Sequence, residues 1–231
     1  QFWNIFSHKQ YILFQSLNRL VIYNQQSNTL KSYNSDYGIL DAFVNDDEIY
    51  FQDNNRTLFK IENEKSLVYL SAAALNQNQV VGLVNTSSGQ LIVTRENGLF
   101  LNARNLKATQ PQLSKSLAQD VVYSFTQAAN GQLILGTVKN GVYILSESGA
   151  LVHHINVNSG LNNDTVLSVF SDNRGVWLGL DDGLAYVKLE AAIQQYNSRR
   201  EAIGTAYATI VFNQYLYVGT SQGLFYRRHN A

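Results

Sequence analysis

The 231-residue chain contains no cysteine. That excludes a disulfide framework, a thiolate nucleophile and a cysteine-ligated metal, and it suits the cytosol and the periplasm equally. Proline occurs once, so little interrupts a β-ladder. Charge of neither sign is in excess, since 17 basic residues balance 17 acidic ones. Composition therefore gives no electrostatic reason for direct nucleic-acid binding or for an anionic membrane surface as partner. No apolar run approaches the roughly 18 residues of a membrane helix, and no secretory leader pattern opens the chain. The first residue is Gln1 rather than Met, which reads as a mature or excised piece. Helical periodicity is also scarce. Only KLEAAIQQYNSRREAI (188–203) is expected to hold a short helical turn, as an inserted connector.

What is present is a soluble-protein balance of 45% hydrophobic and 15% charged residues, written as a repeat. The position after a polar turn recurs at Leu20, Leu58, Leu99, Val142, Leu184 and Leu224, at intervals of 38 to 43 residues. Within a copy the segments are short and rich in Val, Ile, Tyr, Leu and Thr. In the fourth copy VVYSFTQ alternates, NG turns, QLILGT follows, KNG turns, and VYIL and ALVHHINV complete it. This predicts four antiparallel strands joined by tight hairpins.

Four strands per repeat at this period predict an all-β propeller. A lone four-stranded sheet cannot bury both faces, so neighbouring blades must cover each other. That accounts for apolar residues at successive positions, such as Leu133, Ile134 and Leu135. The expected blades are 1–37, 38–75, 76–117, 118–160, 161–203 and an incomplete 204–231, as one propeller domain or propeller fragment. Copy one begins at its innermost strand, FWNIFSHK, and copy six ends after LFYRR without a fourth strand. The expectation is a part of a larger array, or else a six-bladed ring closed in a less usual way.

Copies four to six carry a more specific phrase. Gly160, Leu161, Val166, Asp172, Gly175, Trp177, Leu178, Gly179, Gly183 and Leu184 follow one another in order, and Gly136–Thr137 and Gly219–Thr220 repeat a Gly–Thr step. This resembles the two-component regulator propeller repeat, G-L-x-x-N-x-V-x-x-I-x-x-D-x-x-G-x-[LIV]-W-[IL]-G-T-x-x-G-L. Copy five departs from it with Leu180 in place of Thr and a turn one residue shorter before the Trp. Copies one to three match in spacing and turns only. The resemblance implies an extracytoplasmic, periplasmic sensor propeller of a membrane-bound regulator. It further implies a triple-tyrosine β-sandwich after it, a membrane helix, and a histidine kinase or DNA-binding output, with a homodimer partner. Many such regulators sense glycan fragments.

Several motifs compete for a chemical role. SDNRGVW (171–177) resembles an Asp-box with altered spacing, but Asp172 and Asn173 are turn formers. His153 and His154 are adjacent on a strand and point to opposite faces, so they do not share a metal. Asp181–Asp182 lies in a hairpin turn, and no second carboxylate can be placed at glycosidase distance from it. Tyr123, Phe125, Trp177, Tyr215 and Tyr217 read as blade-packing aromatics. No catalytic residue, metal or cofactor is expected.

A meander brings the inter-blade loops and the loops between second and third strands to one face. The candidate ligand or partner face is therefore Arg56, Arg95, Glu96, Lys139, Asn163, Asp164, Asp181 and Asp182. With them go Asp53, Asn97, Gln119–Asp120, Asn140, Asn162 and Ser221–Gln222. Its mix of cations, carboxylates and amides suits an oligosaccharide, another small ligand or a neighbouring domain. The leading reading is a non-enzymatic sensor propeller. The alternatives are a protein-interaction or dimerisation propeller without a small ligand, and a propeller lyase or glycosidase.

Overall fold

The structure, a computed structural model, describes residues 2–103, 105–172, 174–189 and 205–228, with backbone only at Trp3 and Arg227. They form six antiparallel meanders. The first four have four strands each: β1–β4 (Phe2–His8, Tyr11–Ser16, Arg19–Asn24, Thr29–Asn34) and β5–β8 (Ile39–Asn45, Glu48–Asp53, Leu58–Glu62, Lys65–Leu70). Next come β9–β12 (Val80–Thr86, Gly89–Thr94, Leu99–Asn102, Leu106–Thr109) and β13–β16 (Val122–Gln127, Leu133–Thr137, Val142–Leu145, Leu151–Ile155). Two sheets have three described strands: β17–β19 (Val166–Ser171, Val176–Leu180, Gly183–Val187) and β20–β22 (Ala206–Phe212, Tyr215–Thr220, Gly223–Arg228). The architecture is that of propeller blades. The short helix expected over 188–203, and the place of a fourth strand for the fifth blade, fall largely at 190–203, outside the described residues.

The chain divides into a larger unit, Gln1–Val157 with Leu161–Leu189, and a smaller one that holds Asn158–Gly160 and β20–β22. In the larger unit the core is four separate seams, each drawn from two consecutive blades. Leu13, Leu20, Ile22 and Tyr33 meet Ile39, Ala42, Ile49 and Phe51. Further seams join the second blade to the third, the third to the fourth, and the fourth to the fifth. Successive residues of one strand alternate between seams. Leu133 and Leu135 face back to the third blade, while Ile134 faces forward to the fifth. Each is fully buried, a gain of roughly 1.5–3 kcal/mol per side chain.

One helix was not expected. α1 (Pro111–Asp120) connects the third and fourth blades, in a segment that the repeat reading divided between two blades. Pro111 stands in its first turn, where a missing N–H costs nothing. Leu117 is fully buried in the seam between those blades.

All six innermost strands carry a bulge at the same place. The unpaired residues are Trp3, Leu40, Val81, Tyr123, Leu167 and Tyr207. The residue after the bulge is small or polar: Asn4, Asp41, Gly82, Ser124, Ser168 and Ala208. Across the ladder it meets Gln15, Gln52, Val93, Gly136, Gly179 and Gly219. The Gly of the Gly–Thr step is therefore the partner of the post-bulge residue. A Cβ on Gly136 would strike Ser124 Oγ and lie 2.7 Å from Val166 Cγ1 of the next blade. In the first two blades a buried Gln replaces this Gly and reaches into the next blade instead. Gln15 Nε2 donates to Leu40 O at 3.3 Å. Gln52 donates to Asn78 O at 2.9 Å and accepts from Val80 N at 2.8 Å. This is why the early copies do not show the Gly–Thr phrase.

The next position closes the turn to the third strand. Thr94 and Thr137 Oγ1 donate to the carbonyls of Gly98 and Gly141 at 2.8 Å, and Thr220 Oγ1 donates to Gly223 O at 3.0 Å. Leu180 holds this position in the fifth blade and is buried in the seam with the fourth.

Candidate functional site

Backbone bonds within the larger unit show that the two kinds of loop do meet at one end of the blades. Arg95 donates to Gln79 O and accepts from Val122 N, both at 2.9 Å. Val138 and Lys139 donate to the carbonyls of Val121 and Asp120, Gly141 donates to Asp164 O, and Asp181 donates to Thr165 O. Each loop between second and third strands is thus stitched to an inter-blade loop.

The candidate residues divide by what their side chains do. Glu96, Lys139, Asp181 and Asp182 are exposed. Asn163 and Asp164 brace their own loop: Asn163 Oδ1 accepts from Thr165 N at 2.7 Å and Asp164 Oδ1 from Val157 N at 2.8 Å. The Arg95 guanidinium lies 4.9 Å above the Tyr123 ring, a cation–π contact. Arg56 has a left-handed backbone (φ 67°) and a buried Nη1 without a partner.

A polar network crowns the fourth blade. Asp120 Oδ2 accepts from Asn140 Nδ2 at 3.0 Å and from Tyr143 OH at 2.5 Å. Burial and this carboxylate both raise the Tyr143 phenol well above the usual range, so it stays protonated as a donor. His154 stacks on Tyr143 with ring centroids 4.0 Å apart, and its Nε2 lies 2.7 Å from Asn140 O. Tyr143 and His154 line a cavity of about 520 Å³ against the first residues of α1. His153 pairs with Ile144 across the ladder and is exposed. Among the described residues no three His, Cys, Asp or Glu side chains gather to hold a metal ion.

Asp172 is a turn brace. Its Oδ1 accepts from Arg174 N and Gly175 N, each at 2.8 Å, and its Oδ2 from Trp177 Nε1 at 3.2 Å. Those donors, the Arg174 N–H foremost, hold its carboxyl below the usual range. The reading of the aromatics as packing groups needs correction. Trp177 and Tyr123 are 46% and 44% exposed, and Tyr215 is 38% exposed. Tyr123 is exposed because it is the bulged residue, which the ladder leaves without a partner. Phe125 does pack, against the seam of the third and fourth blades.

The second concavity was not foreseen. β1, β5, β9 and β13, the innermost strands of the first four blades, line a recess of about 440 Å³. Asn4, Asp41, Asn45, Asp46, Ser124 and Thr126 are among its polar residues. Asp41 accepts the Ala42 N–H at 2.9 Å. Burial raises its carboxyl to about 6. Asn45 is 6% exposed, with its Oδ1 bound to Asn85 N and its Nδ2 without a partner. Ser124 Oγ is likewise buried and unpartnered. The sequence carried no signal for it, because the post-bulge positions line up only once the strand register is known.

No family model and no curated protein matches the chain. Solved structures do match. The extracellular domain of BT4673 from B. thetaiotaomicron, described once as a one-component and once as a hybrid two-component system, aligns with TM-scores of 0.57 and 0.55. Both are 20% identical and cover 97% and 96% of this chain. PorZ, a surface component of the type-IX secretion system of Porphyromonas gingivalis, aligns with a TM-score of 0.62 at 13% identity, over 99% of this chain and 39% of PorZ. The WD40 β-propeller domain of Doa1 gives 0.61 at 14% identity, over 81% of this chain and 63% of that one. These likenesses show the propeller fold. The chain spans 32% of the length of the BT4673 structures.

Proposed function

We propose that the chain is the ligand-recognising, non-catalytic propeller of an extracytoplasmic sensor, part of a two-component or other membrane-bound regulator. The observation that carries this reading is the fit of nearly the whole chain to the extracellular domain of BT4673, described as a one-component and as a hybrid two-component system. The Gly–Leu…Asp…Trp–Leu–Gly phrase of the fifth blade supports it. No helix among the described residues is long and apolar enough to cross a membrane, so the anchor would lie in another part of the full protein. A β-sandwich and a second protomer would be the partners there.

The loop face is the ligand surface in this reading. Glu96, Lys139, Asp181 and Asp182 leave their side chains available, on loops held by a bonded scaffold. Oligosaccharide fragments suit their hydrogen-bonding groups. Signalling requires that the ligand bind one arrangement of the propeller and its neighbour more tightly than another. The test is the sequence of the intact protein on both sides of this segment. Further propeller repeats, a β-sandwich, a membrane helix and a kinase or DNA-binding domain are expected. A natural stop after Ala231 with only a secretion leader before Gln1 would overturn the reading.

A further inference from the structure

Arg95 and Lys139 lie in the loops between second and third strands of the third and fourth blades. Arg95 O accepts from Val122 N at 2.9 Å, while Val138 N and Lys139 N donate to Val121 O at 3.0 Å and Asp120 O at 3.2 Å. The Val121 carbonyl and the Val122 N–H belong to one trans peptide and point in opposite directions. The two loops therefore stand on opposite sides of that peptide, their backbones roughly 8 Å apart. That brings both cations within reach of one small ligand. Val121 itself is left-handed, with φ 60°, a conformation that a β-branched residue keeps only where its surroundings impose it. Such strain collects at ligand clamps.

Neither cation has a carboxylate partner among the described residues, where the ion pairs draw on Lys9, Lys31, Lys60 and His8. Asp120, the acid of the shared segment, is taken up by Asn140 and Tyr143. Arg95 is nevertheless held in place, because its guanidinium lies 4.9 Å over the Tyr123 ring. The ring covers one face of the guanidinium plane. The N–H groups lie within that plane, so stacking leaves the fork free to bond. The place is open to solvent: Tyr123 and Lys139 are exposed and Arg95 is half-buried. A carboxylate takes two parallel N–H bonds from such a fork, and an ammonium beside it adds attraction without demanding a fixed geometry. Glu96 and Asp120 lie close to the two cations along the chain. They keep the local field modest, which suits a monoanion better than a phosphate dianion.

We propose that the loop face takes its ligand by a carboxylate, bound by the Arg95 fork and attracted by Lys139. This assignment rests on the loop face being the ligand surface, as proposed above, and adds the chemical class of what binds there. A sugar acid and a simple organic acid share that chemistry.

Titration of the chain with glucuronate, with its neutral isostere glucuronamide and with acetate tests it, read from the NMR amide shifts of Arg95, Tyr123 and Lys139. At pH 7 glucuronate is expected to bind about tenfold more tightly than glucuronamide, and sodium chloride at about 0.5 M should weaken it severalfold. Arg95→Lys keeps the charge and loses the fork, and is expected to remove most of that preference. Lys139→Ala should weaken glucuronate roughly threefold. The loop bonds are made by backbone atoms, so both variants should keep the circular dichroism spectrum of the parent. Acetate as tight as glucuronate would uphold the carboxylate site and assign it to simple organic acids; much weaker acetate would assign it to a sugar acid. Equal binding of glucuronate and glucuronamide, binding of none of the three, tighter binding of inorganic phosphate than of any carboxylate, or a glucuronate affinity that Arg95→Lys leaves intact would each overturn the assignment. The domains that flank this segment in the intact protein test the sensor reading separately. A kinase or DNA-binding domain there, with no carboxylate binding here, would sink this assignment alone.

Discussion

Ser124 and Gly136 face each other across the first two strands of the fourth blade, and a Cβ on the glycine would collide with its partner's hydroxyl. The third blade's Gly82 is equally confined, with Phe125 of the next blade lying where its Cβ would go. These approaches let the innermost strands come together.

Gly136→Ala is expected to destabilise the protein by about 1–3 kcal/mol, the usual cost of overpacking. Ser124→Ala in the same chain should restore part of the loss, and Val166, 2.7 Å from the new Cβ, keeps the rest. Urea unfolding of the three variants measures this. Full additivity of the two substitutions would contradict the contact.

Gln52 and Gln15 occupy equivalent positions but differ in what they hold. Gln52→Leu strands Asn78 O and Val80 N–H in a buried seam and should cost about 2–5 kcal/mol. Gln15→Leu removes a single 3.3 Å bond and an Oε1 that has no partner, so its cost should stay below about 1 kcal/mol. Thermal melts of the pair read the difference directly.

Asp41 sets a pH dependence of opposite sign to the usual carboxylate. Its folded pKa is raised from 3.8 to about 6 by burial, so the folded state binds the proton more tightly than the unfolded one. Stability therefore falls as pH rises from about 4 to about 6. Asp41→Asn should stabilise the protein at pH 8 by roughly 2–3 kcal/mol and hardly at all at pH 3. Paired denaturation curves at the two pH values check it; a variant less stable at pH 8 would mean that Asp41 is held by a group other than Ala42.

Asp172 behaves in the ordinary direction. Its carboxyl is lowered by the Arg174 N–H and its other donors, so its contribution is present at neutral pH and lost as pH falls through the folded pKa. Asp172→Asn should loosen the turn without unfolding the blade. Acidification is expected to shift the Trp177 fluorescence of the unsubstituted protein, since the indole N–H donates to this carboxylate, and Asp172→Asn is expected to abolish that shift.

Much of the fold was legible in the sequence because it rests on local chemistry. A polar turn fixes each hairpin, and an alternating strand flanked by such turns can only pair with its neighbour. Six repetitions then announced blades. Leu133, Ile134 and Leu135 gave away the two-sided burial, since a strand that is apolar at consecutive positions needs cover on both faces. The meander alone also placed Arg95, Lys139 and Asp181 at one end of the blades. What chain order could not reveal lies between blades. The bulge that leaves Tyr123 half-exposed depends on a register shift against β14, and no residue type announces it. α1 was hidden by the repeat, whose expected blade boundary at 117/118 cut through it. Asp41 reads as an ordinary polar position within β5. Only the packing of the innermost strands desolvates its carboxyl and leaves Asn45 Nδ2 and Ser124 Oγ buried without a partner. Short-range turn chemistry thus wrote the blades, and the desolvation of Asp41 came from packing them side by side.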